Sequence, residues 1–383
     1  MTGKNANKIL FVCNFLSKGW EVSILGFLAF IQKEQALPLY MVGILSSVFI
    51  ISQIGVSFFA GKIAHAIHSR NVVFLSIAAS GVSWLTLFFS NHLSLLFLAY
   101  MFGGVSSGLF EPIGNSLVAK LSTSGNRGTA IGNFAAFGDM GRIAVVAVAT
   151  ALAGLLKVDN ACLVMFASSV AALILAVLAI ARTNNDADAV PEELPVHLRD
   201  LLKNRNFRFA TVAGIADSFS SASLYIFIPF LLNSKGIPLA NTLYFNVIFF
   251  AGYMSGRLVL GRLADKHGAP HILMASKITM ALLILLLTLV SGSTLMLLLL
   301  FLLGVFTRGS SPIIRAMVAD SMDDNISFHN AFSAFSSASR GSSALSRPIY
   351  GFLASYAGIA SVFYLASAVS LVTLYPAAKY RSQ

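Results

Sequence analysis

Apolar residues run along this chain in blocks of span length, separated by short polar stretches. Twelve blocks can be marked, at about 9–32, 39–60, 72–90, 93–118, 129–154, 161–182, 208–232, 241–260, 271–290, 294–318, 329–354 and 358–378. A helix rises 1.5 Å per residue, so about 20 apolar residues cross a hydrocarbon core roughly 30 Å thick. In lipid every backbone polar group must be satisfied inside its own segment, which selects helices for such blocks. The pattern predicts an all-α membrane protein with 12 transmembrane helices. Most connections are short. The exception is TNNDADAVPEELPVHLRDLLKNRN at 183–206, polar and carrying two prolines and five acidic residues. It divides the blocks six and six, giving an N-terminal half at 1–182, a cytoplasmic linker at 183–206 and a C-terminal half at 207–383. Within the linker, HLRDLLKNR has the pattern of a short amphipathic surface helix.

Composition agrees. Hydrophobic residues make up 57% and charged residues 11% of the chain, with mean hydropathy +0.80, whereas soluble domains carry about a quarter charged residues. A net charge of +11 would raise nucleic acid as a partner of a soluble protein. Here Lys and Arg collect in alternate connections instead. Lys62, Arg70, Lys120, Arg127, Arg199, Lys203, Arg205, Arg208, Arg262 and Lys266 fall on one side, and little beyond Lys33, Lys157 and Lys235 on the other. The positive-inside rule puts the first set and both termini in the cytoplasm; no nucleic-acid partner is expected. Asp320, Asp323 and Asp324 make one acidic cytoplasmic connection, read as solvated or as a partner for the basic stretch 61–70. The N-terminal MTGKNANK and the block after it read as a retained helix, since the block is long and lacks a small-residue cleavage site. Cys13 and Cys162 lie inside apolar blocks, which argues against a disulfide framework or a thiolate metal site. No P-loop pattern GxxxxGK[ST] and no catalytic triad is present, so the chain reads as no enzyme, with no cofactor or metal, and as driven by ion gradients.

The chain repeats itself. At an offset of 200, Pro38 meets Pro238, Gly61 meets Gly261, Ala64 meets Ala264, Gly104-Val105 meets Gly304-Val305, Pro112 meets Pro312 and Val118-Ala119 meets Val318-Ala319. Apolar coincidences are cheap in such a sequence, but each coincident Gly or Pro answers a backbone requirement. Two six-helix halves related by a parallel pseudo-two-fold axis place a substrate site near the bilayer midplane.

One polar segment carries a family resemblance. GRLADKHGAPH, residues 261–271, resembles the signature loop of the major facilitator superfamily: Gly261, then Asp265 and Lys266, then Gly268. The first copy, GKIAHAIHSR, keeps Gly61 and a basic end at Arg70 but has His65 and His68 where the second has Asp265 and Gly268. The resemblance implies the superfamily's two-half fold, alternating access, and a gating role for this loop, with Gly61, Gly261, Asp265, Lys266 and Gly268 as its residues. With His65 for Asp265 the first loop is expected to latch more weakly. His65 and His68 read as solvated.

Ionisable residues inside spans are costly and mark function by default. Span one has Lys18 and Glu21, span four Glu111 before Pro112, span five Asp139 and Arg142, span seven Asp217, span eight Arg257, span ten Arg308 and Arg315, span eleven Arg340 and Arg347. Lys18 with Glu21, and Asp139 with Arg142, are three apart and share a helix face; each pair is either self-neutralised or functional. The resemblance implies that spans one, four, seven and ten line the central cavity and that spans five and eleven also reach it. Glu21, Glu111, Asp139 and Asp217 are therefore the proton-coupling candidates. Arg142, Arg308 and Arg340 are the substrate-binding candidates. Arg257 and Arg315, near cytoplasmic ends, are placed to snorkel. The resulting expectation is a secondary active, proton-coupled antiporter, a monomer in the cell inner membrane, exporting an amphipathic small molecule such as a drug or secreted metabolite. The alternative is proton-coupled uptake of an organic anion through an Arg-lined site. A non-transporting scaffold is the third reading.

Overall fold

A computed structural model describes residues 3–121, 127–180, 201, 203–239, 242–321 and 328–380. Most of the 183–206 linker, including 197–200 and 202 of HLRDLLKNR, and Asp323 and Asp324 lie outside the described residues. Fifteen α-helices occupy the described chain: α1 (Gly3–Gly26), α2 (Leu28–Glu34), α3 (Leu39–Ile67), α4 (Ser69–Phe88), α5 (Leu93–Leu121), α6 (Arg127–Leu155), α7 (Val158–Ile180), α8 (Arg205–Ser221), α9 (Leu224–Ser234), α10 (Thr242–His267), α11 (Ala269–Leu289), α12 (Ser293–Asp320), α13 (Phe328–Tyr356), α14 (Ile359–Val372) and α15 (Leu374–Lys379).

Spans one, seven and twelve are each built from two helices, α1–α2, α8–α9 and α14–α15. Eleven helical stretches among the described residues are long and apolar enough to cross a bilayer. The expected eleventh span is the one that falls short. Helix α13 is continuous over 29 residues, but its Ser- and Arg-rich face lowers its mean hydropathy. Its other face exposes Leu345, Ile349, Phe352 and Tyr356, as an amphipathic helix lining polar surroundings does. Outward-facing side chains elsewhere are large and apolar, among them Phe58, Leu155 and Leu289, which suits a lipid-facing surface.

The chain forms two compact units. Unit 1 comprises 1–37 and 45–192. Its core holds Trp84, Tyr100, Phe27, Phe49 and Phe110, all essentially fully buried. Phe27 meets Trp84 edge-on at 5.2 Å, and Tyr100 donates its hydroxyl to the Ile24 carbonyl at 3.0 Å. Unit 2 comprises 38–44 and 193–383, so the first turn of α3 packs with it. There Tyr40 stacks on Phe352 at 5.5 Å, and Gly43 presses so closely on the Arg347 carbonyl that a Cβ would lie 2.4 Å from it. Deeper in unit 2, Tyr350 donates to the Phe219 carbonyl at 2.9 Å.

The 200-residue offset is a repeat of contacts as well as letters. Gly104 approaches the Phe49 carbonyl and Gly304 the Phe249 carbonyl, and a Cβ on either glycine would sit 2.1 Å from that oxygen. Gln35 donates to the Ser90 carbonyl, and Lys235, its counterpart, to the Val290 carbonyl. Helices α2 and α9 end alike. Leu37 N–H bonds Gln32 O at 3.0 Å and Ile237 N–H bonds Leu232 O at 3.1 Å, the six-to-one bond of a Schellman ending. The left-handed residue of that ending is Ala36 (φ 50°) in the first copy and Gly236 (φ 84°) in the second.

Candidate functional site

Unit 1 gathers five of its charged side chains into one ionic cluster. Helix α1 supplies Lys18 and Glu21, α5 supplies Glu111, and α6 supplies Asp139 and Arg142. Lys18 Nζ lies 3.0 Å from Glu21 Oε2 and 2.9 Å from Glu111 Oε2, so one ammonium bridges two carboxylates. Arg142 Nη1 donates to Asp139 Oδ1 at 2.5 Å. Its other terminal nitrogen stands 3.9 Å from Glu21, joining the two pairs. Glu21 also accepts from Ser107 Oγ at 3.0 Å, which in turn accepts from Gln53 Nε2 at 2.8 Å.

The backbone brings these groups together for local reasons. The i, i+3 spacings put Lys18 with Glu21 and Asp139 with Arg142 on single helix faces. Gly141 lets α6 touch α1, since a Cβ there would meet the Phe15 carbonyl at 1.9 Å. Gly19 answers it from α1, against Val145. Pro112 sits inside α5 next to Glu111; without an N–H it cannot close the usual helical bond there. Asp139 is 5% exposed, and a carboxylate so deep in a span keeps its charge only with a partner such as Arg142.

Beside Glu21 lies a cavity of about 10 Å³ within unit 1, lined from α1 by Ser17, from α4 by Ser80 and from α5 by Ser106, with Trp20 and Trp84 among its apolar walls. Trp20 directs its indole N–H away, to Ser168 Oγ at 3.2 Å.

Unit 2 carries a second, smaller ionic site. Asp217 on α8 pairs with Lys277 on α11 and also accepts from Ser310 Oγ on α12 at 3.0 Å. Asp217 is 5% exposed and Lys277 fully buried. Lys277 is absent from the candidates read from the sequence. Its signal is plain in hindsight: a lone cation amid the apolar ninth block. Asp217, expected to couple protons, is thus tied to a buried lysine within unit 2.

The remaining candidates divide. Arg340 is half-buried on α13. Arg308 belongs to α12, and its side chain is outside the described residues. Arg257 lies over the Tyr253 ring, 5.5 Å from its centroid. The signature segment is helical up to its end: Gly261, Asp265 and Lys266 all belong to α10, and only Gly268 breaks the helix, at φ 89°. Asp265, expected in a gating loop, is therefore a helical residue. It sits exposed in the last turn of α10, the negative end of that helix, and the N-terminus of α11 has no side-chain cap. In the first copy His68 occupies the counterpart of Gly268, at φ 70°, and Gly61 lies within α3.

Two repeated helical units, each holding buried ion pairs inside spans, define a multi-pass membrane protein of the transporter class. The family comparison makes this specific. The model of the Major Facilitator Superfamily matches residues 9–247 and again 210–382, and the chain belongs to that superfamily of transporters. Among solved structures it is similar to a bacterial homologue of the human lysosomal transporter Spinster, in an inward-facing and unoccupied conformation. That similarity has TM-score 0.78 and 13% identity, and covers 99% of this chain and 96% of the other. No curated protein matches the sequence.

Proposed function

We propose that this transporter is a proton-coupled antiporter that exports an amphipathic small molecule, and that the unit 1 cluster is its coupling site. The observation that carries the reading is Lys18 held at 3.0 and 2.9 Å between Glu21 and Glu111. One ammonium shared by two carboxylates is a two-position device. A proton on either acid frees Lys18 to pair wholly with the other, and the Asp139–Arg142 pair adjoins it through Glu21. Charge rearrangement then follows proton binding without leaving an unpaired charge in a low-dielectric interior. Acidic groups in a partly apolar setting, with Trp20 nearby, suit a lipophilic cation as cargo. The basic connections favour the cell inner membrane with both termini cytoplasmic, and the transporter works as a monomer.

The test is proton-driven efflux of ethidium and tetraphenylphosphonium from proteoliposomes holding the full chain. Asp139→Asn and Glu111→Gln should each abolish proton-driven transport while leaving the protein monodisperse. Efflux unchanged in both variants overturns the coupling assignment. Proton-driven uptake of benzoate, lost in Arg340→Ala, would replace export by the organic-anion reading.

A further inference from the structure

The cavity beside Glu21 has a composition that the coupling cluster does not require. Ser17, Ser80 and Ser106 are 7%, 4% and 6% exposed, and they come from three different helices. A serine inside a helix ordinarily returns its hydroxyl to a carbonyl one turn back, as Ser76 and Ser169 do in this unit. These three do not: among the described residues none of them makes a hydrogen bond, and all three line the cavity. Their oxygens stay open to the void rather than sealed against protein, and three unpaired hydroxyls facing one small void point to an occupant. Glu21 adds a carboxylate to the same wall.

The size and the donor set restrict what the occupant is. About 10 Å³ is room for one water-sized particle. Hydroxyl and carboxylate oxygens are the ligands of hard cations rather than of soft metals. Glu21 belongs to a cluster of three carboxylates and two cations, so one further positive charge balances it, and the site is too small for an organic ammonium. We propose that this cavity seats one monovalent metal cation of sodium size, held by Glu21 and the hydroxyls of Ser17, Ser80 and Ser106.

The inference rests on the reading of the cluster as the ion-coupling site and adds a second ion to it. A cation at Glu21 acts on Lys18 as a proton there does, sending the ammonium to Glu111. The charged groups facing Glu21 are Lys18 on its own helix, Glu111 on α5 and Arg142 on α6, with Asp139 behind Arg142.

The experiment measures binding of radioactive sodium to the purified full chain in detergent, with choline replacing sodium in controls. Saturable one-site binding is expected, displaced by lithium and poorly displaced by the larger potassium. Ser80→Ala combined with Ser106→Ala should weaken it at least about tenfold, the loss expected for removing hydrogen-bonding ligands from a charged group. Ser17→Ala alone serves if the double variant does not purify as a monodisperse protein. Absence of saturable sodium binding to the wild type, with the cavity holding only water, overturns the inference. So does sodium binding that the serine substitutions leave unchanged. Proton-driven efflux without sodium binding defeats this inference alone, while sodium binding without proton-driven efflux defeats the proton assignment alone.

Discussion

Lys277, fully buried on α11, forms its ion pair with Asp217 on α8. Neither charge has water to return to, so each depends on the other. Removing one partner of a buried pair costs about 3–5 kcal/mol, whereas replacing both with apolar groups is often neutral. Asp217→Asn should therefore lower the yield of monodisperse protein and its unfolding temperature sharply. Asp217→Leu with Lys277→Met should restore most of the loss, read by thermal unfolding in detergent. A double variant no better than the single ones would show that the pair is required for more than mutual neutralisation.

The two repeated glycine contacts make a paired prediction. Gly104→Ala and Gly304→Ala each place a methyl 2.1 Å from a backbone carbonyl, where neither helix can yield cheaply. Each should destabilise its unit by roughly 1–3 kcal/mol or more. The size should be similar in both, because the contact is the same. Gly55→Ala, whose added Cβ meets nothing within 4 Å, is the matched control, with thermal stability as the readout.

Ala36 and His68 hold backbone conformations that the second copy gives to Gly236 and Gly268. A side chain in the left-handed region costs about 1–2 kcal/mol relative to glycine. Ala36→Gly should stabilise the protein by a fraction of that, since glycine also gains entropy when unfolded. His68→Gly should behave likewise. If either lowers the unfolding temperature, its side chain contributes more than its backbone costs.

Tyr380 follows the last long helix and donates its hydroxyl to the Met317 carbonyl at 2.7 Å. Burial, and then the charge of Asp320, push its phenol up from 10.0 to about 12. The folded state keeps this proton where the unfolded chain releases it. Stability from this group is full below pH 10 and is lost as pH rises from there toward 12. An alkaline titration of unfolding should show that step in the wild type and not in Tyr380→Phe.

Much of this was legible from letters alone, and the limits are physical. Span length and apolarity specify helices in lipid with little ambiguity. The repeat was visible because glycine and proline answer backbone geometry, and Gly104 and Gly304 turn out to touch equivalent carbonyls. Pairs three apart, Lys18 with Glu21 and Asp139 with Arg142, were legible because helix periodicity fixes them. Pairings between helices were not. Glu111 meets Lys18 from another helix, and Asp217 meets Lys277, a cation inside an apolar block. Nor could spacing show that the signature segment is the last turn of a helix, or that three scattered serines face one void.

Helix α13 carries a consequence for how the chain is made. Phe328–Tyr356 is the long helix that falls short of the apolarity of a self-sufficient span, so the insertion machinery has little reason to release it into lipid by itself. Its polar face is satisfied by an earlier segment: Ser342 and Tyr350 donate to carbonyls of Ile215 and Phe219, both in α8. The segment is thus recruited by helices already in the bilayer, and the order of synthesis becomes part of the folding code. A chain in which α8 is damaged should leave this stretch outside the membrane, accessible to water-borne labels, before any transport defect is measured.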